Sequence, residues 1–84
     1  MAMATYPGID MKATGENIRD FREKSGYSVR QLQKIFGFKD PQTIYKWQWG
    51  KCLPNIENLI ILSHIFNVPI EKILILTEHN NKQR

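Results

Sequence analysis

Two capped segments lie back to back between Ser28 and Gly50, each closed by a glycine after only a couple of helical turns. This punctuation restricts the chain to short helices joined by tight turns. Ser28-Val29-Arg30-Gln31 is a capping box, in which the Ser28 hydroxyl and the Gln31 side chain each satisfy a backbone amide that the first turn leaves unpaired. Leu32, Ile35 and Phe36 follow at helical spacing and predict an apolar stripe, and Gly37 stops the helix. Asp40 is the next N-cap. Pro41 fits the first helical position, where its missing N–H is harmless, Ile44 and Trp47 point inward, and Gly50 ends the segment.

The flanks read the same way. Thr14 is a candidate cap for a helix over 15–25 that carries Ile18, Phe21 and Arg22 and closes at Gly26. Asn55 caps a helix over 56–66, with Ile56, Leu59, Ile60, Leu62, Ile65 and Phe66 spread across a broad apolar face. Asn67-Val68-Pro69 opens a fifth helix over 69–76. No segment alternates like a strand. The expectation is an all-α fold of five short helices over residues 14–76, preceded by a mobile arm (1–13) and followed by a polar tail (77–84).

A chain of 84 residues can build one modest core, burying about 60–65% of its unfolded surface. No apolar run is long enough for a bilayer, and residues 1–11 lack the basic and apolar blocks of a signal peptide. Cys52 has no partner for an internal disulfide and no metal-ligand spacing to His64 or His79. A cytoplasmic protein without metal or cofactor is expected. Paired carboxylates, Ser/His or Cys/His arrangements and phosphate-binding glycine loops are missing from the sequence, so an enzyme is not expected.

Charge is placed unevenly. Arg30, Lys34, Lys39, Lys46 and Lys51 face only Asp40 between Ser28 and Lys51, which accounts for the whole net charge of +4. Such a local excess suits a phosphate backbone, although a solvated surface would look similar. Two short helices around a tight turn are the unit of DNA-binding helix-turn-helix proteins, and they also occur elsewhere.

With these residues in place the chain resembles the Cro/phage-repressor type of helix-turn-helix regulator, the XRE family, from about Thr14 to Leu74. The resemblance rests on Arg22…Gly26-Tyr27-Ser28, Leu32 with Phe36-Gly37-Phe38, Ile44-Tyr45-Lys46-Trp47, Gly50-Lys51-Cys52-Leu53-Pro54, and the run from Asn67-Val68-Pro69 to Leu74. It implies a lambda-repressor-like domain whose second helix crosses the DNA backbone while the third enters the major groove. The chain departs from the family pattern at four points: a longer turn through Lys39-Asp40-Pro41, Val29 where a contacting glutamine is frequent, Gln33 where a small residue is usual, and Gln48 where a glutamate frequently pairs with the arginine of the first helix. Arg22 and Gln48 are therefore expected to share a hydrogen bond rather than an ion pair.

Candidate base contacts are Gln42, Thr43, Tyr45 and Lys46, with Gln42 suited to adenine and Lys46 to guanine or phosphate. Arg30, Lys39, Trp49 and Lys51 are candidate phosphate contacts. Trp49 also fits a packing role over the following junction, Trp47 belongs to the core, and His64 reads as a structural residue near it. The fifth helix has more apolar residues than a two-turn helix buries, and the surplus, Ile75 and Leu76, suggests a homodimer interface. The leading reading is a sequence-specific regulator that binds double-stranded DNA, a repressor in preference to an activator, with no small-molecule effector. A protein-binding module, such as an antitoxin-like or accessory subunit, stands second.

Overall fold

The computed structural model describes residues 8–77. Five helices follow in order: α1 (Met11–Lys24), α2 (Val29–Phe36), α3 (Gln42–Gln48), α4 (Ile56–Phe66) and α5 (Ile70–Ile73). The all-α class and the number of helices are as expected. The capping box of α2 is complete, with both Ser28–Gln31 bonds made, and α2 closes on Gly37 in the left-handed conformation. Asn55 caps α4 through its side chain. One buried cluster joins the helices, formed by Ile18, Leu32, Ile44, Trp47, Leu59, Leu62, Phe66 and Ile73.

The first helix starts earlier than the sequence suggested. Asp10, not Thr14, is the N-cap, and its carboxylate accepts from the Ala13 amide at 3.0 Å. Thr14 is instead fully buried inside α1. Its hydroxyl accepts from the Ile75 amide at 2.9 Å and donates to the Ile75 carbonyl at 3.4 Å. Asp10 N–H donates to the same carbonyl at 2.7 Å. Residues 8–13, expected in the arm, are thus tied to the C-terminal segment, while residues 1–7 of that arm and 78–84 of the tail lie outside the described residues. Replacing Thr14 by valine keeps the volume but strands the Ile75 amide. It should cost about 1–3 kcal/mol, read as a lower denaturant midpoint.

The other end is also corrected. The fifth helix stops at Ile73, because Leu74 turns extended and Leu76 forms an isolated antiparallel bridge with Ile9. Asn17 satisfies the end of the helix. Its side-chain amide donates to the carbonyls of Lys72 at 2.7 Å and Ile73 at 3.0 Å, occupying acceptors at the helix end. Helix α3 begins at Gln42 with Pro41, not Asp40, at the N-cap position, so Pro41 lies just outside the helix; Asp40 Oδ1 accepts from the Gln42 amide at 2.9 Å from one residue further back.

Several apolar positions lie outside the core. Ile35 on α2 is half exposed, Ile56 on α4 is 70% exposed, and Ile60 is also on the surface. His64 is exposed rather than packed near the core. A stripe read from spacing marks which residues share a face, but the width of the covering neighbour decides how many of them are buried.

Two glycines position α1 against α3. Gly50 follows α3 at φ 75°, and a Cβ there would come within 2.8 Å of the Met11 carbonyl oxygen. Gly15 is buried against the last turn of α3, where a Cβ would collide with the carbonyls of Trp47 and Gln48. The two backbones therefore approach closely, and the end of α3 sits beside the first turns of α1.

Candidate nucleic-acid interface

Inside α3 the spacing separates two faces. Ile44 and Trp47 are buried, and Trp47 meets the rings of Phe36 and Phe38 edge-on at 5.4 and 5.9 Å. Gln42, Tyr45, Lys46 and Trp49 fall on the other side, since residues three, four and seven apart share a helix face. Gln42 and Lys46 are exposed, whereas Thr43 and Tyr45 are half-buried.

Trp49 does not cover the junction to α4. It is 57% exposed, and its ring stacks on that of Tyr45 with centroids 5.7 Å apart and planes 18° from parallel. The two rings form one aromatic shelf on the outer face of α3. Tyr45 is therefore held partly by its neighbour rather than standing alone.

Gln48, between the two faces, turns toward α1. Its side-chain oxygen accepts from Arg22 Nε at 2.8 Å, the hydrogen bond expected in place of an ion pair. A second Arg22 nitrogen donates to the Tyr27 carbonyl at 2.8 Å. Arg22 thereby fastens the end of α3 and the start of the α2 approach to a single half-buried cation.

Two shallow concavities flank the shelf. The first is lined by Lys12, Glu16, Arg19 and Arg22 from α1 together with Val29, Tyr45, Gln48 and Trp49. The second is lined by Val29, Arg30, Gln33, Lys39, Asp40, Pro41 and Tyr45. Val29 and Tyr45 are common to both. Arg30 and Lys39 are thus brought together beside Tyr45, and Lys51, also exposed, follows α3. Ile75 and Leu76 line neither concavity; they belong to the segment paired with Ile9, Asp10 and Thr14.

Two features were missed by reading the sequence. Gln33 has a structural task, because its amide donates to the Phe38 carbonyl at 3.3 Å and braces the longer turn before α3. Lys12 and Arg19 join the site from α1, more than twenty residues away in the chain. Asp10 as the cap is the signal that would have brought Lys12 into α1; Arg19 already lay within the expected first helix, and its place beside α3 is set by tertiary packing. Among the described residues no helix is long and apolar enough to cross a membrane.

Comparisons with known proteins agree with this arrangement. A family model described as Helix-turn-helix matches residues 18–73. A protein of Pyrococcus furiosus named as an HTH-type transcriptional regulatory protein is 31% identical over 72 residues, which is 86% of this chain. The chain spans 22% of the length of the curated relatives it matches. Among solved structures, the restriction-modification controller protein C.AhdI from Aeromonas hydrophila superposes with a TM-score of 0.65 at 19% identity, over 76% of this chain and 96% of that one. The DNA-binding domain of BldD gives 0.63 at 18% identity, over 76% and 92%. At such identities the two structures speak for the fold alone.

Proposed function

The chain belongs to the helix-turn-helix family, and we propose that it is a transcriptional regulator that binds double-stranded DNA in a sequence-specific way, carrying α3 into the major groove. The observation that carries this reading is the division of α3 into a buried face, Ile44 and Trp47, and an outer row of Gln42, Tyr45, Lys46 and Trp49. An outer row with one amide and one cation that make no side-chain hydrogen bond or ion pair among the described residues is what base edges require. Gln42, Thr43, Tyr45 and Lys46 are assigned to bases. Arg30, Lys39, Trp49 and Lys51 are assigned to the backbone, where contacts set register and affinity without reading sequence. Repression is the simpler outcome, since a bound protein can occlude a promoter without any further contact.

Selection of bound sequences from a random DNA pool supplies the test. Gln42→Ala and Lys46→Ala should each weaken the selected sequence by about 1–3 kcal/mol and relax preference at one position. Lys51→Ala should weaken every sequence alike and lower the salt dependence. Unchanged sequence preference in both α3 variants would overturn direct readout by these residues.

A homodimer that reads two half-sites about one helical turn apart is part of the proposal, with contact through Leu76 and the half-buried Ile75. Sedimentation showing a monomer both with and without the selected duplex would remove it. The exposed Ile56, Ile60 and Ile61 on α4 favour a second reading, a protein-binding module in which a partner protein covers that face.

A further inference from the structure

The chain outside residues 28–51 carries equal numbers of acidic and basic residues, yet the fold does not distribute them evenly. Lys12, Arg19 and Arg22 line one wall of the first concavity against the single carboxylate of Glu16. Arg22 is occupied by Gln48 and Tyr27 and lies 3.6 Å from the Glu23 carboxylate. Arg19 is held by Glu23 at 3.2 Å, but both side chains are more than half exposed, and a surface pair of this kind exchanges readily for a phosphate. Lys12 makes no ion pair among the described residues. The Tyr45–Trp49 shelf lines the same concavity.

We propose that this concavity is a second DNA-backbone subsite, in which Lys12 and Arg19 meet phosphates flanking the α3 contact and the Trp49 ring lies against a deoxyribose between them. The proposal rests on the DNA-binding reading and extends it from the helix-turn-helix to α1. Three observations favour a nucleic-acid backbone as the occupant. The three cations outnumber the two carboxylates beside them, Glu16 and Glu23, which leaves an excess complementary to a polyanion. The indole is exposed but already oriented by stacking on Tyr45, so little freedom is lost when the apolar C–H face of an uncharged sugar packs on it. The concavity adjoins the one that holds Arg30 and Lys39, with Val29 and Tyr45 lining both, so a single strand can pass from one to the other.

Glu16 provides a sign test, because its charge opposes a phosphate at this position. The measurements use the whole chain, a duplex recovered by selection, and a mixed-sequence duplex several helical turns long, each titrated over a range of salt. Lys12→Ala should weaken both duplexes by the same factor and reduce the slope of log affinity against log salt by about 1. Glu16→Gln should tighten both duplexes. Trp49→Ala should weaken both about fivefold or more, with Trp49→Phe retaining most of the affinity, as expected for packing by an aromatic face. Circular dichroism and thermal midpoints of the variants exclude loss of fold as the cause. If Lys12→Ala, Glu16→Gln and Trp49→Ala all bind like the parent while Gln42→Ala or Lys46→Ala weakens the selected duplex, this subsite is overturned and the α3 reading stands. If the parent binds neither duplex at any salt concentration, the DNA reading fails, and the subsite with it.

Discussion

Replacing Trp47 by alanine should remove a large share of the stability of this domain, at a cost of about 3–5 kcal/mol. Trp47 is only 2% exposed and lies at the centre of the buried cluster. Its ring is edge-on to Phe36 at the end of α2 and to Phe38 in the turn, so it holds the angle between α2 and α3 as well as filling volume. Edge-to-face pairs contribute about 0.5–1.5 kcal/mol each beyond the burial of area. Small domains have about 5–15 kcal/mol in total, so the variant should melt roughly 15–30 °C below the parent. Trp49→Ala is the control. With that ring over half exposed, its removal should cost about 1 kcal/mol or less. Two tryptophans two residues apart are thus expected to behave oppositely, one in stability and the other in binding. Similar melting points for the two variants would refute this assignment.

Gly15→Ala should also destabilise, against the intrinsic preference of its helix. Alanine inside a helix is ordinarily about 1 kcal/mol better than glycine. Here the added methyl would meet the Trp47 carbonyl oxygen and would lie 2.6 Å from that of Gln48. Both are backbone atoms, which cannot swing aside like the end of a flexible side chain. Relief requires α1 and α3 to separate, and a cost of about 1–3 kcal/mol remains after the propensity gain. The same separation would loosen the Arg22–Gln48 bond and shift the shelf relative to Lys12. DNA affinity of the folded fraction should therefore fall as well. Thermal melting with a binding titration on one sample checks both effects. An unchanged or raised melting point would mean that the helices do not approach this closely.

The helix-turn-helix itself was legible because its signals are local. Ser28 with Gln31, Gly37, Asp40 and Asn55 act on amides or carbonyls within a few residues, and each does so in the structure. Arg22 and Gln48 were legible as a pair through the family pattern and are joined as expected. Exposure was less legible. Ile35, Ile56 and Ile60 have the right spacing for a core face, but the neighbouring helices are too short to cover the whole stripe. Trp49 carried no decisive local signal, and its stacking on Tyr45 becomes visible once α3 is folded.

The all-α class, the number and shortness of the helices, and the buried face of α3 follow from local sequence alone. Each depends on caps, glycine stops and side-chain spacing, which operate within a turn or two of the chain. Where α1 begins, where α5 ends and how far the basic surface reaches depend on contacts between segments far apart in the chain. Asp10 prevails over Thr14 as the cap because the hydroxyl of Thr14 is engaged by Ile75, 61 residues away. The same contact draws Ile75 and Leu76 out of a helix, and the added first turn of α1 sets Lys12 beside Trp49. These choices turn on hydrogen bonds and close backbone approaches between distant segments, which no local pattern encodes.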